Sequence, residues 1–219
     1  MATTVVSPRT RPEPGLGGIR LSVILALVVW LLLVVSLGAT GAFLGRRGSP
    51  PFAMALGVGA PLLLFFAWLR LSPSFRQFVL SLDLRLVAGM QAWRWAGIGF
   101  LFLYAQRILP GMFAFPAGLG DMAVGLAAPW MVLALARQPA FRAGAAFVRW
   151  NLLGILDLVV ALGIGALSAT RSTGAAGEIS TAPMALLPLL LIPAYLVPFF
   201  LMLHATALMQ SRKFARSAE

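Results

Sequence analysis

The sequence predicts an all-α, polytopic membrane bundle of six spanning helices, and three observations predict it. Of the 219 residues, 60% are hydrophobic and only 11% charged, whereas soluble domains are nearer half apolar and about a quarter charged. The apolar residues fall in runs of roughly twenty, the length that crosses a ~30 Å hydrocarbon layer at ~1.5 Å rise per residue. The runs are continuous rather than alternating, which argues against a membrane β-barrel, and an open sheet edge finds no hydrogen-bond partner in lipid.

Each element follows in order. Residues 1–19, with Pro8, Pro12, Pro14, Gly15, Gly17 and Gly18, read as a flexible cytoplasmic tail. The first span is expected over 21–44. It is longer than the roughly 7–15-residue core of a cleaved signal peptide, so it reads as an uncleaved signal anchor. The second span is expected over 51–69. Over 74–86, Phe75, Phe78, Val79, Leu82 and Leu86 recur at helical spacing, with Arg76, Gln77 and Asp83 on other faces. That pattern fits a short interfacial helix or the early turns of the third span. The third span is expected over 88–104, with Trp93, Trp95 and Tyr104 as interface aromatics. Spans four and five are expected over 116–136 and 145–168, and a loop rich in Ser, Thr and Gly covers 169–183. The sixth span, over 184–209, carries Pro188, Pro193 and Pro198, each of which removes a backbone donor. Residues 210–219 form a basic cytoplasmic tail, and 20–209 make a single transmembrane domain.

The basic residues set the threading. With the N-terminus inside, the inner segments hold Arg9, Arg11, Arg20, Arg70, Arg76, Arg85, Arg137, Arg142, Arg149, Arg212, Lys213 and Arg216. The outer loops hold only Arg46, Arg47, Arg107 and Arg171. Positive charge favours the cytoplasmic side, which selects both termini inside. The net charge of +11 is therefore a topology signal, not a nucleic-acid footprint. Arginine far outnumbers lysine, and Ala, Leu and Gly dominate, a composition that suggests a bacterial inner membrane. There is no cysteine and one histidine, which excludes thiolate chemistry, iron–sulfur clusters and bis-histidine haem within one chain. No paired metal-ligand spacing occurs and no cofactor is implied.

Polar residues inside the spans carry the functional information, because a charge near the middle of a span costs roughly 2.5–3.5 kcal/mol to insert. Asp157 lies about halfway along span five, and Asp121 near the outer end of span four. Spans three and four are joined by a short turn and should form an antiparallel hairpin. That hairpin brings Arg107 to the level of Asp121, as an ion pair to which Tyr104 adds a hydrogen bond. The pair reads either as a clasp between helices or as a ligand or proton site opening outward. Ala117, Asp121, Gly125 and Ala128 share one small-residue face, and Gly154, Asp157, Ala161 and Gly165 another. Such faces allow close helix approach, so the two carboxylates are expected to look into the bundle. Asn151, the only asparagine, lies in the inner third of span five. The secondary candidates are Gln91 and Arg94 at the inner end of span three, Tyr195, and His204 near the inner end of span six. Arg94 either reaches for the headgroups or takes a buried role. His204 reads as a helix-end hydrogen-bonder or a ligand.

Gly118-Leu119-Gly120-Asp121 resembles the Gly-x-Gly-Asp tetrapeptide of the intramembrane aspartyl proteases, presenilin-like and prepilin-peptidase-like. The resemblance implies an aspartate pair activating water for hydrolysis, with Asp121 as one member. It covers four residues. The family places its other aspartate on an earlier span, where this chain has only Asp83, and Asp157 comes later. Three readings follow. The first is a small transporter or ligand-binding membrane protein, proton-linked, that uses Asp121 and Asp157 with Arg107, Tyr104 and Asn151. The second is a non-catalytic membrane subunit or scaffold. The third is a membrane hydrolase. The expected partners are the bilayer, a small molecule or proton, and further copies or subunits of a membrane complex, with no nucleic acid.

Overall fold

The computed structural model describes residues 16–45, 50–173, 175 and 177–217, and among them every regular element is helical. Most of the N-terminal tail, Arg46 and Arg47 of the loop after the first span, and the last two residues lie outside the described residues. Six helices are long and apolar enough to cross a membrane: Gly17–Ala39, Phe52–Leu71, Leu84–Ala105, Gly111–Arg137, Ala145–Arg171 and Ile192–Arg216. The chain is a multi-pass membrane protein.

Helix α2 (Phe52–Leu71) matches its expected span to within two residues, whereas α1 (Leu16–Ala39) starts and ends five residues before the expected 21–44, taking in the end of the expected tail. The expected 74–86 helix divides in two. Ser72 caps α3 (Pro73–Ser81), its hydroxyl accepting the Phe75 N–H at 3.2 Å, and Pro73 sits where a missing donor costs nothing. Trp68 stacks on Phe75 at 4.0 Å, fastening α3 to the end of α2. The helix stops at Leu82, whose backbone is extended, and Asp83 caps α4 (Leu84–Met90) by accepting the Arg85 N–H at 2.8 Å. Residues 84–86 therefore open the third span, which starts four residues earlier than the hydropathy suggested. A 3₁₀ stretch, Gln91–Gly97, and α5 (Ile98–Ala105) complete that span.

Helix α6 (Gly111–Arg137) begins five residues before its expected start and keeps Pro116 and Pro129 within it. Helix α7 (Ala145–Arg171) follows a short 3₁₀ turn at Pro139–Ala143. The sixth span is not one continuous helix over 184–209. A 3₁₀ turn at Ala182–Ala185 and a π-helical turn at Ile192–Leu196 precede α8 (Val197–Arg216). Three prolines at intervals of five deny this half of the span a regular ladder. Beyond Pro198, which lies in the first turn where its lost donor is harmless, the helix is regular. It also runs on through most of the expected tail. Gln210 is buried there, its amide donating to the Val79 and Leu82 carbonyls at 3.1 and 3.0 Å.

Spans three to six form the core. Helix α6 lies between the third span and α7, and α8 closes against α7 and α4. Leu84, Val87, Val124, Phe147, Leu158 and Phe200 fill one end, and Phe100, Leu109, Phe113 and Ala117 the other. Helices α1 and α2 are peripheral, resting on the broken part of span six through Val34, Phe43, Leu190 and Ala194.

Candidate functional site

Four polar residues from four spans meet at mid-depth. Arg94 is central in Leu84–Ala105, Asp157 in Ala145–Arg171 and His204 in Ile192–Arg216, while Asp121 is the eleventh residue of Gly111–Arg137. The depth of Asp121 overturns its expected partner. It lies about 15 Å of helix below Gly111. A Cβ at Gly111 would meet the Tyr104 ring at 2.9 Å, so Tyr104 sits level with the top of α6. Arg107 is exposed in the turn above, at φ 58°, and Tyr104 packs on Phe115. Asp121 pairs with Arg94 instead. The expected hairpin of spans three and four is present, but it joins these residues at its middle, not its tip.

Local backbone places Arg94. In a 3₁₀ helix, residues three apart eclipse one another. Gln91, Arg94 and Gly97, at that spacing, are the three buried residues of the stretch. Trp93 and Trp95 project outward. Glycines let the partners close in. A Cβ at Gly97 would stand 2.6 Å from the Asp121 Cβ and 2.8 Å from the Gly118 carbonyl. A Cβ at Gly125 would strike the Arg94–Trp95 backbone, one at Gly120 the Asp157 carboxylate, and one at Gly154 the His204 ring. The glycines of the Gly-x-Gly-Asp tetrapeptide thus serve close packing.

Arg94 has a side-chain exposure of 1%, so its headgroup does not reach for the membrane surface. Its Nε donates to Asp121 Oδ1 at 2.6 Å and its Nη2 to Asp157 Oδ2. Nη1 faces His204 Nε2 at 3.1 Å and the Gly154 carbonyl at 3.4 Å. A guanidinium has donors only, so His204 Nε2 must accept and the ring proton must lie on Nδ1. Nδ1 then donates to Asn151 Oδ1 at 2.9 Å, and Asn151 Nδ2 donates to the Phe147 carbonyl at 2.9 Å. His204 is fully enclosed, with Trp150 edge-on at 5.7 Å between ring centroids. Gln91 lies one turn from Arg94 and donates to the Phe200 carbonyl at 3.4 Å, while its buried Oε1 has no partner among the described residues. Tyr195 stands apart, bonded to the Leu27 carbonyl and packed on Trp30.

A cavity of about 460 Å³ leads to this layer. It is lined by Leu44, Pro51, Ser172 and Ser180 from the loops after α1 and α7, and by Val58, Phe100, Ala117, Leu158 and Ile192 from the helices. Among the described residues Asp121 is the one charged side chain in the wall. Among the described residues no group of three or more His, Asp or Glu side chains is placed to hold a metal.

Sequence reasoning named every member of this layer but gave Arg94 and His204 minor parts and paired Asp121 wrongly. The usable signal was the three-residue spacing Gln91, Arg94, Gly97. The family model described as Domain of unknown function (DUF8737) matches residues 51–212, and the chain belongs to that family. The match contains the whole polar layer and leaves out α1. No curated protein and no solved structure matches the chain.

Proposed function

We propose that this member of the DUF8737 family is a small transporter or ligand-binding membrane protein whose site is the intramembrane carboxylate layer of Asp121 and Asp157. The observation that carries the reading is Asp121, which bonds Arg94 through one oxygen while lining the cavity. A residue serving only to tie helices together has no need of such a cavity. When all three groups are ionised, two carboxylates face one guanidinium, and the surplus negative charge makes a proton or cation the natural coupling partner. The π-helical turn at Ile192–Leu196 forms part of the cavity wall, and such turns recur at functional sites.

The distribution of basic residues favours both termini cytoplasmic and the loop after α7 outside, and the composition favours a bacterial inner membrane. The chain has no cysteine, so single cysteines placed at Ser180 and at Arg212 test this. Ser180→Cys should react with an impermeant maleimide from outside and Arg212→Cys should not; the opposite result reverses the threading.

The site is tested by a hydrophobic carbodiimide in native membranes. Labelling of Asp121 or Asp157 that falls as pH rises marks a reachable, protonatable carboxylate. A folded protein that takes no label at any pH favours the scaffold reading, which the enclosed Arg94 and the tight glycine contacts would then explain. The hydrolase reading draws no support from the geometry, since Arg94 stands between the two carboxylates where a shared water would be needed.

A further inference from the structure

We infer that the cavity takes an amphiphilic cation, its apolar body held among the second, fifth and sixth spans and its positive charge set against Asp121; this rests on the carboxylate-site reading above. Among the described residues the lining is almost wholly apolar apart from Ser172, Ser180, Thr181 and the Asp121 carboxylate. The volume, about 460 Å³, falls in the ~300–1,000 Å³ range of small-molecule sites.

The sign of the ligand follows from what the cavity meets. Arg94 is 1% exposed and Asp121 17%, so a ligand at the foot of the cavity encounters the carboxylate and not the guanidinium behind it. Asp121 gives Oδ1 to Arg94, while its Oδ2 takes no hydrogen bond from a described residue. The layer holds one positive side chain, Arg94, against two carboxylates, Asp121 and Asp157. His204 and Asn151 complete it as uncharged links in the bonding order derived above. In a low-dielectric interior an unbalanced charge acts strongly at short range. An anion would be repelled, and a neutral molecule would leave the surplus in place.

The test is equilibrium dialysis of tetraphenylphosphonium against the purified full chain in nonionic detergent. Tetraphenylborate, of the same shape and opposite charge, is the comparison, and carbodiimide reactivity of Asp121 is followed on the same preparation. The expected result is phosphonium binding at least about tenfold tighter than borate binding, with Asp121 protected from the carbodiimide. If Asp121 is labelled but borate binds as well as phosphonium, the cation inference falls and the carboxylate-site reading stands. If Asp157 alone is labelled in folded protein, the cation inference falls and the carboxylate-site reading stands; if neither is labelled, both fall. Ala55→Phe obstructs the cavity from α2, a helix that carries none of Arg94, Asp121 and Asp157. It should weaken phosphonium binding at least about tenfold with an unchanged melting temperature. Undiminished binding in that variant overturns the assignment of the cavity.

Discussion

His204 Nδ1 and Asn151 Oδ1 stand 2.9 Å apart across the α7–α8 interface, and the donor-only guanidinium on the other side of the ring fixes which atom holds the proton. Because the chain has a single histidine, its nitrogen signals need no assignment. We expect ¹⁵N spectra of histidine-labelled protein to show a neutral ring protonated at Nδ1, with Nε2 an acceptor. A ring protonated at Nε2 would contradict the derived order of bonds. Asn151→Leu should release that tautomer preference.

Arg94 bonds two carboxylates at once, and removing it leaves them facing each other in the core. Arg94→Leu is expected to destabilise by about 3–5 kcal/mol, the scale for stranding a buried charge. Arg94→Lys should recover only part of the loss, because an ammonium lacks the planar fork that reaches two acceptors. Adding Asp121→Asn and Asp157→Asn to Arg94→Leu should restore much of the stability. Thermal melts of the purified variants decide the matter, and a triple variant no more stable than Arg94→Leu would refute the ion-pair account.

The glycines divide into tight and loose positions. Gly154→Ala drives a methyl group into the His204 ring and should cost about 1–3 kcal/mol by overpacking. Gly125→Ala meets backbone, which cannot yield as a side chain can, and should cost more. Gly99 has nothing within 4 Å of an added Cβ, and Gly99→Ala should be neutral or stabilising by up to about 1 kcal/mol. Equal losses at all three positions would mean that the packing at the polar layer is not specific.

Asp83 caps the third span from its end. The Arg85 side chain hydrogen-bonded to it holds its carboxyl below the ordinary value of 3.8. A depressed carboxylate stabilises the fold above the ordinary value and loses that contribution as pH falls through the lowered one. Asp83→Ala should therefore cost up to about 1 kcal/mol near neutral pH. The difference from the parent should narrow only below about pH 3.8. A gap unchanged down to pH 2 would show that the carboxylate is not responsible. The measurement is the melting temperature of both proteins across that range.

The six spans were legible because apolar run length answers directly to bilayer thickness. Their ends were not, because ends depend on capping and on proline tolerance. Asp83 starts the third span early, and Pro116, which reads as a helix start, lies a turn inside α6. Those shifts of four and five residues moved Arg94 and Asp121 to mid-depth, and the expected Arg107 partnership failed on that account. Asp157 was placed correctly because its span has no ambiguous end near it. The 3₁₀ stretch that aims Arg94 had no compositional mark, since Trp93, Arg94 and Trp95 are equally at home in an α-helix.

That stretch also changes the length of the third span. A 3₁₀ helix rises about 2.0 Å per residue against about 1.5 Å for an α-helix, so the seven residues Gln91–Gly97 reach about 3.5 Å farther than α-helical winding would carry them. Rewound as an α-helix, the same residues would draw the two halves of the span together by that amount. The rewinding would also turn Gln91, Arg94 and Gly97 out of their common line. The guanidinium is thus mounted on the one section of its helix in which reach and aim are set by the same choice of winding.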